Sequence, residues 1–305
     1  MSEYVKCRSE LLFLYDVKDS NPNGDPLDDN KPRIDEETGT NIVTDVRLKR
    51  TIRDYLYDFK QHEIFVREVR KDDGNLKTKE DRLTDLKIDS VDSIIEKCID
   101  IRLFGATAAI KDKSIILTGP VQFKFGRSLH RVNLNFIKGT TVMPSKESKK
   151  QGTFTECYQL PYSLICFYGI INENAAKETK LTEDDIKLLL DGMWNGTKNL
   201  ISRSKAGQVP RLLLKVDYKE GNYHIGDLNS TLKLTSEIVE EEIRDISQIK
   251  LDISELLNVF SKNSEQIKNV EYCIDERLKL LHMGKERCFA ECLKDSNVTG
   301  IELKL

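Results

Sequence analysis

The 305-residue chain is long enough for one elaborated domain or two small ones, with 39% hydrophobic and 32% charged residues. We find no apolar run of membrane-spanning length and no signal-peptide core at the polar N-terminus. Since the formal net charge is −3, any nucleic-acid site must come from local basic patches. The seven scattered cysteines favour reduced thiols in a cytoplasmic protein over disulfides or structural zinc.

The first predicted elements are a buried strand and an acidic loop. Within residues 8–17 a continuous apolar run begins at Leu11, and this run predicts a buried strand. Residues 16–35, DVKDSNPNGDPLDDNKPRID, carry six carboxylates together with the turn signals Asn-Pro, Asn-Gly and Asp-Pro. We therefore predict irregular structure over residues 18–41.

The carboxylates of this loop allow more than one function. Asp25, Asp28 and Asp29 offer the oxygen ligands that Mg²⁺ or Ca²⁺ prefers. Their spacing does not match the calcium-loop template. We favour a solvated turn or a binding role over catalysis, and keep a calcium-binding module as a further hypothesis.

The next segment predicts an amphipathic helix over residues 44–59. Thr44 suits the N-cap and Asp45 suits the first turn. An apolar stripe at helical spacing comprises Leu48, Ile52, Tyr55, Leu56 and Phe59. The other side carries Lys49, Arg50 and Arg53, with Arg47 flanking them. Such a face is either simply solvated or neutralises phosphates.

The remaining elements follow in an order that indicates the fold class. Residues 60–100 are dense in charge and read as an insertion, and strands broken at Gly119-Pro120 follow. A hairpin over 131–157, a central strand at PYSLICFYGII, a helix capped by Thr182 and a strand at RLLLKVDY come next. This β, α, β, β, α, β order fits a ferredoxin-like or RRM-like α+β core. The many strands leave a second small domain possible.

Motifs for catalysis are absent. The four histidines form no metal or nucleophile motif, and the chain contains no phosphate-binding GxxxxGK[ST] loop. His130 lies between Arg127 and Arg131, which suits phosphate contact better than base catalysis. Trp194 has the helical spacing of a core residue.

Five sequence blocks resemble one known family. In order they are LLFLYDVKDSNPNGDP, TDVRLKRTIRDYL, IRLFGAT, LTGPVQFKFGRS and PYSLICFYG. Together they resemble the CRISPR-associated Cas-seven family, the backbone subunits of type I surveillance complexes, and most closely the branch of subtypes I-B and I-C. The match runs from about Leu11 to Tyr218 and is less clear after residue 220.

The resemblance implies a fold and its divisions. It implies an α+β, RRM-like (ferredoxin-like) palm with a helical finger insertion at residues 60–100 and a β-hairpin thumb at residues 131–157. All of these belong to a single elaborated domain of residues 1–305, in which residues 221–305 form a C-terminal elaboration.

The resemblance also implies a function. It implies a non-catalytic subunit that polymerises along CRISPR RNA with other copies of itself and other Cascade subunits. Guide bases then pair with target DNA, and we expect no cofactor, metal or membrane. Related backbone subunits of type III complexes cleave RNA with a loop Asp. The alternative is therefore a metal-dependent ribonuclease that uses Asp25, Asp28 or Asp29.

Basic patches and the resemblance together predict an RNA-binding set from four segments. Its members are Asn21, Asn23 and Gly24 of the loop; Arg47, Lys49, Arg50 and Arg53 of the helix; Arg127, His130 and Arg131 of a strand; and Lys146 and Lys149 of the thumb tip. Because carboxylates repel phosphates, we expect the loop's Asp residues to face a neighbouring subunit or solvent.

Overall fold

The structure is a computed structural model that describes residues 3–110, 113–140 and 154–305. These ranges contain eight α-helices: α1 (Asp45–Asp58), α2 (Lys79–Asp85), α3 (Val91–Lys97), α4 (Ile99–Phe104), α5 (Glu173–Thr179), α6 (Glu183–Lys198), α7 (Ser254–Lys262) and α8 (Phe289–Asp295). None of these helices has the length and apolar character that a bilayer span requires.

Seventeen β-strands occur in the same ranges. They are β1 (Ser9–Ser20), β2 (Gly24–Asp25), β3 (Lys31–Pro32), β4 (Thr40–Val43), β5 (Gly105–Ile110), β6 (Lys113–Thr118), β7 (Val121–Phe123), β8 (Gly126–Arg131), β9 (Asn135–Thr140), β10 (Phe154–Ile171), β11 (Val209–Tyr218), β12 (Lys233–Thr235), β13 (Lys250–Asp252), β14 (Ile267–Ile274), β15 (Leu280–His282), β16 (Lys285–Glu286) and β17 (Gly300–Glu302).

A large central sheet organises the described chain. Its strand order is β17-β14-β11-β1-β10-β8-β4, and β7 and β9 also pair with β10. Neighbouring strands are antiparallel except β14 and β17. A smaller sheet of order β12-β13-β15-β16 lies in the C-terminal part, and β2–β3 and β5–β6 form separate hairpins. The α+β class predicted from the order of elements is confirmed.

Strand β1 lies between β10 and β11, and both of its faces are covered. Every residue from Ser9 to Val17 is buried. Since strand side chains alternate, Leu12 and Leu14 enter one core while Leu11 and Phe13 enter the other. A strand covered on both faces reads as a continuous apolar run, as this one does.

Helices α1 and α6 pack together over the second core. Thr44 caps α1 by accepting a hydrogen bond from the backbone N–H of Arg47, as the sequence predicts. Two glycines of α6 permit close approach: a Cβ at Gly192 would lie 3.0 Å from Ile52, and a Cβ at Gly196 would lie 3.0 Å from Tyr55. Larger residues at these positions would push α1 and α6 apart. Trp194 is buried in the same core.

Residues 60–100 contain a small core of their own. Its buried members are Phe65, Leu83, Ile88, Ile94, Ile95 and Cys98, with Ile101 of α4. Helices α2 and α3 each begin with a capping box, at Thr78 and Ser90. This segment therefore folds as a compact unit, which we call the 60–100 segment, beside α1.

Strand β10 pairs with different strands along its length. Its second part, from Leu160 onward, pairs with β1. Its first part, residues 154–159, pairs instead with β9. The hairpin predicted over residues 131–157 therefore has paired strands at its base, and its tip, residues 141–153, lies outside the described residues.

A buried carboxylate attaches the C-terminal part to the central sheet. Glu10 of β1 accepts hydrogen bonds from the hydroxyls of Tyr168 and Tyr218. It also accepts the backbone N–H groups of Ile225 and Gly226, each at 2.9 Å. Four donors thus depend on one side chain.

We expect Glu10→Ala to lower the free energy of unfolding by roughly 3 kcal/mol or more, because it leaves buried donors without an acceptor. Urea denaturation of the variant and the parent measures the change. The matched control is Glu36→Ala, at an exposed position, which we expect to stay within about 0.5 kcal/mol. Equal, small changes for the two variants would contradict the anchoring role of Glu10.

Candidate nucleic-acid interface

The acidic loop after β1 is a small hairpin rather than wholly irregular structure. Strands β2 and β3 pair, and Asp29 and Asn30 take positive φ angles in the turn between them. A Cβ at Gly24 would lie 2.1 Å from the Asn30 Oδ1 atom, so only glycine fits. The hairpin itself therefore requires a glycine at position 24.

The loop carboxylates stabilise this hairpin. The Asp25 Oδ1 atom accepts the backbone N–H of Leu27 at 3.0 Å and lies 3.4 Å from the Arg33 guanidinium. Asp28 forms an ion pair with Lys31. In the part of the chain that the structure describes, no group of three or more His, Cys, Asp or Glu side chains is arranged to hold a metal ion.

Asn21 and Asn23 connect the loop to its neighbours. The Asn23 Oδ1 atom accepts hydrogen bonds from the Thr44 backbone N–H at 2.8 Å and from the Thr44 hydroxyl at 2.9 Å. Asn23 thereby fixes the N-terminus of α1. Asn21 is buried, and its side-chain amide donates to the Asn30 carbonyl at 2.6 Å. Both asparagines shape the loop, and Asn23 also reaches the surface.

Three of the predicted basic residues on α1 have carboxylate partners within the chain. Lys49 lies 3.0 Å from Asp45, and Arg50 lies 2.8 Å from Asp54. Arg53 binds Asp100 at 3.0 Å, and this fully buried carboxylate also accepts the backbone N–H groups of residues 65 and 66. Arg53 therefore fastens the 60–100 segment to α1.

Arg47 differs from its neighbours on α1. Its Nη2 atom donates to the Thr51 hydroxyl at 3.0 Å, and its buried Nε has no hydrogen-bond partner. Burial lowers the pKa of Arg47; Asp54 opposes this effect, and Arg50 adds to it. Among the described residues no carboxylate lies within ion-pair distance of Arg47. Its charge is therefore the least neutralised of the four cations on α1.

A cleft of about 500 Å³ separates α1 from the 60–100 segment. It brings together four predicted residues: Asn23, Arg47, Arg50 and Arg53. The opposite wall adds further cations, namely Arg67, Lys77, Lys79 and Arg82. Among the residues that the structure describes, Glu68 is the single carboxylate of the lining. We call this feature the basic cleft.

Strand β8 carries the next predicted group, away from the basic cleft. Arg127 pairs with Asp35 at 2.7 Å. Arg131 lies 3.2 Å from Glu241 and 3.5 Å from Glu240, so acidic side chains partly neutralise it. These two arginines are about half exposed.

His130 requires a correction. Its side chain is only 2% exposed and stacks on Tyr162. The Nδ1 atom lies 2.8 Å from the Arg131 carbonyl, and Nε2 accepts the Leu164 N–H at 3.2 Å. Burial lowers its pKa, which favours the neutral ring. Because the ring is enclosed and both nitrogens are engaged, His130 is a core residue and not a phosphate ligand.

Comparisons with known proteins identify the family. The family described as CRISPR-associated protein Cas7 matches residues 7–254. The chain belongs to the Cas7 family. A Haloferax volcanii protein named CRISPR-associated protein Cas7 is 35% identical to it, over 90% of this chain and 88% of that protein.

Two solved structures share the fold of this Cas7 chain. One belongs to a pre-nicking CRISPR RNA-guided surveillance complex, with a TM-score of 0.57, 11% identity, and coverage of 97% of this chain and 96% of that chain. The other belongs to a CRISPR RNA-guided surveillance complex, with a TM-score of 0.54, 15% identity, and coverage of 88% and 89%. At these identities the likeness concerns the fold alone.

Sequence reasoning missed the cleft cations that the 60–100 segment contributes. Arg67 stacks on Tyr57, with its guanidinium carbon 3.5 Å from the ring centroid. Lys79 donates to the Thr107 carbonyl at 2.9 Å. Both belong to a segment in which charges of both signs are frequent, so composition did not distinguish them. Lys146 and Lys149, predicted at the thumb tip, lie outside the described residues.

We expect Arg53→Ala to lower the free energy of unfolding by roughly 3 kcal/mol, because it leaves Asp100 buried without a cation. Arg50→Ala on the same helix removes an exposed pair and should cost less than about 1 kcal/mol. Urea denaturation monitored by circular dichroism compares the two. If both variants lose the same small amount, Arg53 does not fasten the 60–100 segment.

Proposed function

We propose that this Cas7 protein is a non-catalytic backbone subunit of a type I surveillance complex that binds CRISPR RNA. The observation that carries the proposal is the lining of the basic cleft, to which the described residues contribute seven cations and one carboxylate. A surface of this kind neutralises phosphates without reading bases. The guide would then supply sequence specificity by base pairing, as in other RNA-guided effectors.

Topology supports an RRM-like palm. Taken in chain order, with the elements between them set aside, β1, α1, β8, β10, α6 and β11 give the sheet order β11-β1-β10-β8, all antiparallel. This strand order is the one found in the split βαβ (ferredoxin-like) arrangement, in which two βαβ crossovers are interleaved. We assign the 60–100 segment as the finger, residues 131–157 as the thumb, and residues 221–305 as a C-terminal elaboration of one domain.

The proposed partners follow from the same assignment. Copies of the chain would polymerise along one guide with other Cascade subunits, and exposed guide bases would pair with target DNA. Similar chains occur in solved CRISPR RNA-guided surveillance complexes. We propose the subtype I-B or I-C branch and a cytoplasmic setting, because the sequence blocks and the cysteine content favour them.

We propose a binding role rather than cleavage for the acidic loop. Asp25 and Asp28 each make turn contacts that hold the β2–β3 hairpin. Asp29 is exposed and occupies a positive-φ position of the turn. Side chains with these structural tasks are poorly arranged to share one divalent ion.

We expect the double variant Arg67→Gln with Lys79→Gln to bind single-stranded guide RNA more weakly than the parent. Each lost phosphate contact should reduce the slope of log K against log salt concentration by about 0.7. Fluorescence anisotropy at several salt concentrations measures both quantities. The control, Lys262→Gln with Lys294→Gln, removes two exposed lysines of α7 and α8. Equal slopes for the two double variants would contradict RNA binding in the basic cleft.

We expect the guide-loaded protein with Mg²⁺ to leave complementary RNA intact, because its loop carboxylates are engaged in the hairpin. Denaturing gel electrophoresis of end-labelled target RNA over a time course checks this. Asp25→Asn serves as the matched variant. Cleavage at regular intervals that disappears in Asp25→Asn would establish the ribonuclease alternative instead.

A further inference from the structure

Tyr57 lies on α1 outside the apolar stripe of that helix, and a cation of the 60–100 segment stacks on its ring. About 37% of Tyr57 is exposed. The Arg67 guanidinium carbon lies 3.5 Å from the centroid of the ring. Seven other contacts between a cation and an aromatic ring among the described residues have distances of 4.9 to 5.7 Å. The contact between Tyr57 and Arg67 is therefore the closest of its kind in the described part of the chain.

This short distance fixes the orientation of the guanidinium. A guanidinium that stood on edge over the ring would bring a nitrogen inside the van der Waals surface of the ring, because delocalised C–N bonds are about 1.3 Å long. The Arg67 guanidinium therefore lies flat against Tyr57, the arrangement in which arginine stacks on aromatic faces. Its N–H groups consequently point sideways, within the guanidinium plane, and remain able to donate.

Helix α1 holds Arg67 at two points. The backbone N–H groups of residues 65 and 66 donate to the Asp100 carboxylate at 2.8 and 3.0 Å, and Arg53 of α1 binds the same carboxylate. Tyr57 follows Arg53 by one helical turn and contacts the Arg67 side chain. One helix thus sets both the position of the backbone before Arg67 and the direction of its side chain.

Arg67 lines the basic cleft with its side-chain donors unused. It also lines a second cavity, of about 380 Å³, at the C-terminal end of α1, and so forms part of the wall that the two cavities share. Glu68 lines both cavities but pairs with Arg70, at 2.6 Å. Within residues 3–110, 113–140 and 154–305, the Arg67 guanidinium has no ion pair and no hydrogen bond. A flat guanidinium with free donors suits bidentate binding of a phosphate.

We propose that Tyr57 is a positioning residue for RNA binding, because its ring holds the Arg67 guanidinium flat at the wall of the basic cleft, with its N–H groups available to a backbone phosphate. An unrestrained arginine side chain has many rotamers, and ordering it upon binding costs free energy. The stack on Tyr57 orders Arg67 before RNA arrives. This inference rests on the proposed function and adds an aromatic residue that no basic pattern in the sequence indicates.

The test measures RNA affinity and its salt dependence for variants of the stacked pair. Fluorescence anisotropy with labelled single-stranded guide RNA gives both quantities. We expect Tyr57→Leu to bind about fivefold more weakly than the parent. Its slope of log K against log salt concentration should fall in the same direction as that of Arg67→Gln, which should lose about 0.7. The matched control is Tyr4→Leu, at an exposed aromatic outside the basic cleft, and it should change neither quantity.

Two further variants distinguish positioning from direct contact. Tyr57→Phe should restore parental binding, because the phenylalanine ring preserves the stack and the Tyr57 hydroxyl has no hydrogen bond within the described ranges. The double variant Tyr57→Leu with Arg67→Gln should bind no more weakly than Arg67→Gln alone, because Tyr57 acts only through Arg67. If Tyr57→Leu weakens binding equally in both backgrounds, Tyr57 contacts RNA directly and the positioning role is wrong.

Thermal unfolding of the RNA-free protein separates positioning from stability. The pair of Arg53 and Asp100 already fastens the 60–100 segment, and a partly exposed cation–ring contact adds little to stability. Tyr57→Leu should therefore shift the thermal midpoint by about 3 °C or less. A steep fall of the midpoint, with normal RNA binding by the folded variant, would make the stack purely structural and overturn the inference.

The outcomes also separate this inference from the proposed function. If the parent binds guide RNA and Tyr57→Leu binds it with unchanged affinity and salt slope, the positioning role is wrong and the proposed function stands. If the parent fails to bind guide RNA, the proposed function itself is overturned.

Discussion

The position of β1 at the centre of the main sheet is the constraint on which the rest of the described structure depends. All its residues from Ser9 to Val17 are buried, and its backbone pairs with β10 on one side and β11 on the other. Glu10 at its start anchors the C-terminal part through four donors. The acidic loop follows the end of β1, and Asn23 of this loop fixes the start of α1. One strand therefore sets the relative positions of core, C-terminal part and basic cleft.

Pairing of charges within the chain determines where positive charge stays available. Several cleft cations serve structure first: Arg53 compensates the buried Asp100, and Arg82 lies 2.7 Å from Glu63. Arg47, Arg67 and Lys79 of the basic cleft have no carboxylate partner within the described ranges. A chain with a net charge of −3 can thus retain one strongly positive surface. Pairing elsewhere limits the repulsion that an overall basic composition would cause.

The carboxylates of the acidic loop have a structural role. Its carboxylates could suggest a metal site, yet Asp25 and Asp28 hold the turns of the β2–β3 hairpin. Lys31 of this hairpin lies over the Tyr158 ring at the base of the β9–β10 hairpin. The loop thus stands between α1 and the projecting hairpin. Its hydrogen bonds, rather than its charge, fix the start of α1 and so the cations that this helix contributes to the basic cleft.

The sequence was sufficient to predict those elements that depend on interactions between residues close together in the chain. The span of α1 and its Thr44 cap, the apolar β1 and the α+β class follow from periodicity and capping, which involve residues close in sequence. Tertiary structure alone decided which charges are neutralised, because the partners are distant in sequence: Arg53 meets Asp100, and Arg82 meets Glu63. It also decided that His130 is enclosed, since burial depends on the elements that pack over a strand. Chemistry at the site depends on desolvation and long-range pairing, and neither can be read from spacing along the chain.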